Sequence, residues 1–305
     1  MRPKRKEKLV SIEEAASVIK DGMTIVLGGL LAANHSMAII RQIIKNGVKD
    51  LTLVGAASTG LDVDMLIGAG CAKTVNSSYM SGEHLIGVSP CFRRGVETGD
   101  IEMYETSEGA LYSGLRAAAI GLPFLPIRGG LGSSLPEHNP DVKIFHDPIK
   151  GEPLLAIPAL KPDVALIHVQ QSDVYGNGQH LGALYGDRIM TEAAEVTIMT
   201  ADRIVANNYI RKNMALTSIA RVEYVVETPF GSHPFASHGM YAEDEEHLME
   251  YVEAAEKYRK TGDRTDLAGY YDRYVFQPPT HEDYLELIGI KKIISLQRKY
   301  QYFIH

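Results

Sequence analysis

The chain has 305 residues, 45% of them hydrophobic and 23% charged, with a formal net charge of −7. That length builds one large α/β domain or two small ones around a substantial core, and the composition is that of a soluble globular protein. The acidic balance excludes a duplex nucleic-acid binder held by a basic field, and no window approaches the roughly 18 apolar residues of a membrane span. An anionic ligand would have to be held by local positive potential.

The elements alternate from the start. Ser11-Ile-Glu-Glu14 is a capping-box pattern that opens a short helix, ended by Asp21-Gly22. Residues 23–27 form a continuous apolar run, as expected of a strand buried on both faces, and Gly28-Gly29 stops it. Helical spacing resumes over 37–44, and 51–54 is another buried strand. Further strands are predicted at 74–76, 101–104, 124–127, 164–169, 196–199 and 222–226. Helices are predicted at 91–97, 110–120 and 188–194. This alternation argues for a three-layer α/β/α fold with an open, mainly parallel sheet. Residues 129–158, rich in Gly, Pro, Asn and Asp, read as a long excursion with little regular structure. Residues 243–264 read as a charged, peripheral helix with a solvated face. The whole, 1–305, reads as a single domain with a helical extension from about 243.

Four constellations lie at predicted strand ends, where open α/β sheets bind ligands. Gly28-Gly29 permits close backbone approach, so its N–H groups can face a carbonyl or phosphate oxygen; a plain tight turn explains it as well. Ile127-Arg-Gly-Gly-Leu-Gly-Ser-Ser134 offers the Arg128 guanidinium, the backbone of Gly129, Gly130 and Gly132, and the Ser133 hydroxyl. That set suits a carboxylate or phosphate, and without a following GK[ST] it is not a Walker A loop. Tyr104-Glu-Thr-Ser-Glu-Gly109 places Glu105 and Glu108 at a helix start, with Thr106 or Ser107 as cap. Capping chemistry explains the pair, and so does a nucleophile or general base at the ligand edge. Ser77 to Glu83, including Ser81, fits a substrate-lining loop or an ordinary polar turn.

Other residue types point away from chemistry. The eleven histidines show no metal spacing, and His233 and His238 have no supporting cysteines, so no metal site is expected. His168, inside an apolar strand, reads as a satisfied core histidine. The two cysteines, Cys71 and Cys91, imply no disulfide framework, which places the chain in a reducing cytoplasm. The basic stretch 1–8 lacks a following apolar region and does not read as a signal peptide.

Several segments taken together resemble the A-type (alpha) chain of the glutaconate-type CoA transferases. They are Gly22-Met-Thr-Ile-Val-Leu-Gly-Gly29, Asp64-Met-Leu-Ile-Gly68, Gly121-Leu-Pro-Phe-Leu-Pro126, the stretch from Pro162 to Gln171, Pro229-Phe-Gly-Ser-His-Pro234 and His281-Glu-Asp-Tyr-Leu285. They occur in the right order over roughly residues 10 to 295. The resemblance implies the CoA-transferase α/β/α fold and a homologous B-type partner, as an A2B2 heterotetramer. It also implies a CoA thioester as substrate, with no permanently bound cofactor. The family's nucleophilic glutamate belongs to the B-type chain, just after its second strand. Here the corresponding Leu53-Val-Gly-Ala-Ala57 has no carboxylate. The chain is also similar to the A-type chain of a steroid-ring hydrolase of the same fold, at Glu105 to Gly109 and Leu122 to Ser134. That second resemblance implies a catalytic glutamate at Glu108 or Glu105, beside Arg128.

Overall fold

The computed structural model describes residues 5–55, 59–82 and 84–302. Ser11 starts the first helix, α1 (Ile12–Ala16), by accepting the Glu14 N–H on its hydroxyl at 3.1 Å. Strands and helices then alternate: β1 (Thr24–Leu27), α2 (Met37–Asn46), β2 (Leu51–Gly55), α3 (Leu61–Gly68), β3 (Ala72–Ser77), α4 (Pro90–Thr98) and β4 (Glu102–Met103). Next come α5 (Glu108–Ala119), β5 (Phe124–Ile127), α6 (Leu135–His138), β6 (Lys143–His146) and β7 (Pro153–Pro158). The chain returns through β8 (Val164–Ser172), β9 (Gly178–Gln179), α7 (Asp187–Ala193), β10 (Val196–Ile204), α8 (Asn207–Lys212), β11 (Thr217–Ile219) and β12 (Tyr224–Glu227). Four helices close it: α9 (Glu245–Thr261), α10 (Thr265–Tyr271), α11 (His281–Ile288) and α12 (Ile290–Tyr302).

Seven strands run parallel in the order β4-β3-β2-β1-β8-β10-β12, with β9 and β11 adding a short antiparallel end. The chain lays strands outward from β1, then comes back to its other side with β8. The carboxyl ends of β1 and β8 therefore form a topological switch point, where such sheets leave a crevice. Residues alternate between the faces with the strand period. Ile25, Leu27, Leu51, Leu53 and Val75 pack in one cluster with Ile39, Ile43 and Leu66 of α2 and α3. Val26, Val54, Ala165 and Ile167 pack in another with Leu111 and Leu115 of α5 and Met190 of α7. β8 is buried at every position; its first half, Val164 to Ile167, is apolar on both faces, and the buried His168, Gln170, Gln171 and Ser172 follow toward its carboxyl end.

Three expectations need correction. The strand at 124–127 does not join the main sheet. As β5 it pairs antiparallel with β7, which pairs with β6, in a separate three-stranded sheet. Pro126 has no N–H to give, and an edge strand such as β5 tolerates that. Residues 129–158 are consequently not structureless, since β6 and β7 lie within them. Their connecting turn is held by Asp147, whose carboxylate accepts the N–H groups of Ile149, Lys150 and Glu152 at 2.8–2.9 Å. Nor is the charged helix merely peripheral. Leu248, Tyr251, Val252 and Ala255 of α9 join the larger core cluster, and only its opposite face is solvated.

Candidate active site

Each of strands β1, β3 and β4 ends in a loop at the same edge, and these loops enclose a cleft of about 570 Å³. Leu30 and Leu31 follow β1, Ser78 and Tyr79 follow β3, and Thr106, Ser107 and Glu108 follow β4; Tyr185, just ahead of α7, completes the wall. Ser107 is the N-cap of α5, its hydroxyl accepting the Ala110 N–H at 3.3 Å, so Glu108 becomes the first helical residue. The helix dipole favours its carboxylate there. Tyr185 donates its hydroxyl to that carboxylate, which in turn pushes the phenol's pKa up. The Tyr185 ring meets Tyr112 edge to face at 5.8 Å between centroids.

Gly28 and Gly29 sit at the switch point, but their N–H groups are already taken. Gly28 N–H continues the sheet to the Leu166 carbonyl at 2.9 Å, and Gly29 N–H binds the buried Asp187 carboxylate at 3.2 Å. The pair is glycine because its surroundings are crowded, with Gly29 also at φ +110°. It shapes the crevice without offering the free donors expected of it.

The loop that leads from β1 into the cleft is held by a buried ion pair. His35 Nδ1 lies 2.9 Å from an Asp62 carboxylate oxygen, and His35 Nε2 lies 2.7 Å from the Leu31 carbonyl. Both partners are acceptors, so the imidazole must carry both protons. Burial opposes the charge, but Asp62, helped by the Leu31 carbonyl and Asp187, overrides it and raises the pKa of His35. Burial likewise opposes the Asp62 charge, and His35 with the Gly60 and Val63 N–H groups lowers that pKa. A raised histidine pKa stabilises the fold fully below the ordinary value of 6.5 and ceases to do so as pH rises through the folded value. His35→Gln should therefore lose about 1–2 kcal/mol relative to the parent at pH 6, with the difference shrinking toward pH 9. Urea denaturation at the two pH values measures it; a gap that stays constant would refute the charged pair.

Elsewhere the predicted residues part company. Glu108 lines the cleft, whereas Glu105 stands exposed outside that wall, its carbonyl held by Asn139 Nδ2 at 2.6 Å. Arg128 pairs with Glu152 on the small sheet and not with either glutamate. Gly130 and Gly132, both left-handed, build a tight turn with the exposed Gly129, and Ser133 Oγ donates to the Gly130 carbonyl at 2.7 Å. Ser81 bridges Val88 through its main chain, and its loop presents Ser78 and Tyr79 to the cleft instead. His168 is the satisfied core histidine expected, between Thr200 Oγ1 at 2.9 Å and Asp202 at 3.2 Å. Gly55 ends β2 at this edge; Ala56 and Ala57, where a carboxylate is missing, lie outside the described residues, as does Glu83. Leu31, Tyr185, Asp187 and the His35–Asp62 pair escaped sequence reasoning, because no periodicity or motif marks them.

Residues 9–228 match the family profile described as Coenzyme A transferase. The chain belongs to the coenzyme A transferase family. It is 32% identical to the A-type chain of glutaconate CoA-transferase from Acidaminococcus fermentans, over 95% of this chain and 94% of that one. The crystal structure of that transferase superposes with a TM-score of 0.89, covering 95% of both chains at 30% identity. The chain is also 32% identical to the cholesterol ring-cleaving hydrolase IpdA subunit of Rhodococcus jostii, over 82% of this chain and 88% of that one. An uncharacterised Archaeoglobus fulgidus protein is 40% identical over 96% of this chain, which spans 65% of that longer relative. The α/β/α CoA-transferase fold expected from the sequence is thus the fold observed. Among the described residues no helix is long and apolar enough to cross a membrane.

Proposed function

We propose that this chain is the A-type member of a heteromeric CoA transferase, a single domain with a helical extension from about residue 243. It would pair with a B-type chain, as A2B2, in the cytoplasm. The observation that carries this reading is the cleft at the carboxyl edge of the sheet, on a chain matched over 95% of its length by the A-type chain of glutaconate CoA-transferase. Nothing in the sequence of the second strand's end supplies a nucleophile, so the attacking glutamate comes from the partner. That carboxylate adds to the thioester carbonyl, the C–S bond breaks and CoA leaves as thiolate. The thiolate then attacks the glutamyl carbonyl of the resulting anhydride and frees the first acid. A glutamyl-CoA thioester remains, and the acceptor acid runs the steps in reverse with ping-pong kinetics. The present chain supplies a wall of the pocket, and Glu108 with Tyr185 supplies polar contacts inside it.

The test is label exchange between an acyl-CoA and its free acid, catalysed by the co-purified pair of chains. Exchange, with a borohydride-trappable thioester on the partner, is the expected result. Glu108→Gln should slow exchange no more than about tenfold. If the pair instead hydrolyses a ring-opened acyl-CoA, shows no exchange, and loses a factor of about 10² or more with Glu108→Gln, the carboxylate is a general base and the hydrolase reading replaces this one. That second reading draws on the Glu108 position in the cleft and the IpdA relative.

A further inference from the structure

A second cavity, of about 550 Å³, lies on the face of the main sheet beneath the small antiparallel sheet. Its floor is a ladder of hydroxyls. Thr24 pairs in register with Thr52, and Thr52 with Thr74, so three threonines on adjacent strands share one face. Adjacent strands lie about 4.8 Å apart, which sets the spacing of those hydroxyls. Asn76, two residues beyond Thr74, faces the same way and lines the cavity. It is 8% exposed, and its Oδ1 has no hydrogen-bond partner among the described residues. A buried acceptor left so is costly, and it calls for an N–H or O–H from a molecule within the cavity. The space exists because α5 turns only the small residues Ala110 and Gly114, with Leu111, toward these threonines. Asp141 and Lys143 also line the cavity with opposite charges, which disfavours an ionic occupant. Thr106 lines this cavity and the Glu108 cleft alike, so the two are neighbours.

We propose that this cavity receives an extended, uncharged chain bearing amide or hydroxyl hydrogens, continuous with a thioester held in the Glu108 cleft. The proposal rests on the transferase reading for the thioester itself. Two parts of an acyl-CoA have this chemistry: the pantetheine arm, with two amides, and an acyl arm carrying a hydroxyl.

The test titrates the co-purified pair of chains with CoA, with pantetheine and with 3-hydroxybutyramide, followed by NMR or calorimetry. The variants are Thr52→Val and Asn76→Leu, neither of which touches the Glu108 cleft. In each, the dissociation constant of one small probe is expected to rise at least tenfold, and which probe it is names the arm. The melting temperature should not fall with Asn76→Leu, because an unpartnered acceptor is replaced by an apolar group of similar size. Probe and CoA affinities equal to those of the parent in both variants would overturn the assignment while leaving the transferase reading intact. So would a structure of the assembled pair with a partner side chain in the cavity. A parent protein that fails to bind CoA at all would defeat the transferase reading instead.

Discussion

Gly28→Ala should lower the free energy of unfolding by about 2–4 kcal/mol. A methyl group there would stand 2.4 Å from Asp187 Oδ1, 2.7 Å from Ile167 Cδ1 and 3.2 Å from the Leu166 carbonyl oxygen. The Ile167 tip can swing aside. The Leu166 carbonyl cannot, because it belongs to the sheet, and Asp187 is buried and bound to the Gly29 N–H. Relief must therefore come from separating β1 from β8 or from breaking the Asp187 contact, and both disturb the switch point. Gly129→Ala is the matched control. Among the described residues nothing lies within 4 Å of a methyl group there, so its effect should stay within about 0.5 kcal/mol. Denaturant midpoints for the two variants decide the matter, and equal midpoints would show that the crowding is relieved by a route not visible in the fold.

Removing the Asp202 carboxylate should cost more. It is 5% exposed and accepts from Ser237 Oγ, from His168 Nε2 at 3.2 Å and from the Tyr241 hydroxyl at 3.4 Å. The network continues outward, since Gln170 Nε2 donates to Ser237 Oγ at 3.0 Å and to Asn34 Oδ1 at 2.8 Å. Asn34, in left-handed conformation at φ 63°, closes the loop that carries Leu30 and Leu31 to the cleft. Asp202→Ala leaves three buried polar groups without their acceptor, at about 3–5 kcal/mol in total. Asp202→Asn keeps the shape and one acceptor oxygen and should lose less than half as much. Thermal and urea unfolding of both variants tests this, and near-equal stabilities would mean that solvent fills the gap.

Why was so much of the fold legible? The strands that matter here are short apolar runs stopped by glycine, and the code for a sheet buried on both faces is local. β1, stopped by Gly28, is the clearest instance, and the Ser11 cap is an equally local signal. Partnership between strands is not local. Residues 124–127 look like any other strand, and only the packing of β7 against them shows that they belong to a different sheet. The same limit governs the site. Gly28-Gly29 looks like an open cradle until Asp187, distant in sequence, takes one N–H and Leu166 the other. The motif around Arg128 has every residue type an anion site needs, but Glu152 satisfies the guanidinium and the serine folds back on its own turn. Glu108 was legible because a helix start fixes where its carboxylate goes. Tyr185, which binds it, comes from an irregular segment ahead of α7 with no pattern at all.

The helices after β12 have a consequence for what counts as a unit in this protein. The shared family segment ends at residue 228, yet Leu248, Tyr251, Leu267, Tyr270 and Tyr284 lie in one continuous core with Met37, Ile40 and Leu66. Arg41 on α2 is buried with its guanidinium 3.7 Å from the Tyr284 ring and hydrogen-bonded to the His233 carbonyl at 3.0 Å. Residues 9–228 are the stretch that the family shares, but in this chain their core is completed by the helices that follow. The shared segment and the packed core have different extents, and a version cut at residue 228 would expose the apolar faces of α2 and α3 that these helices cover.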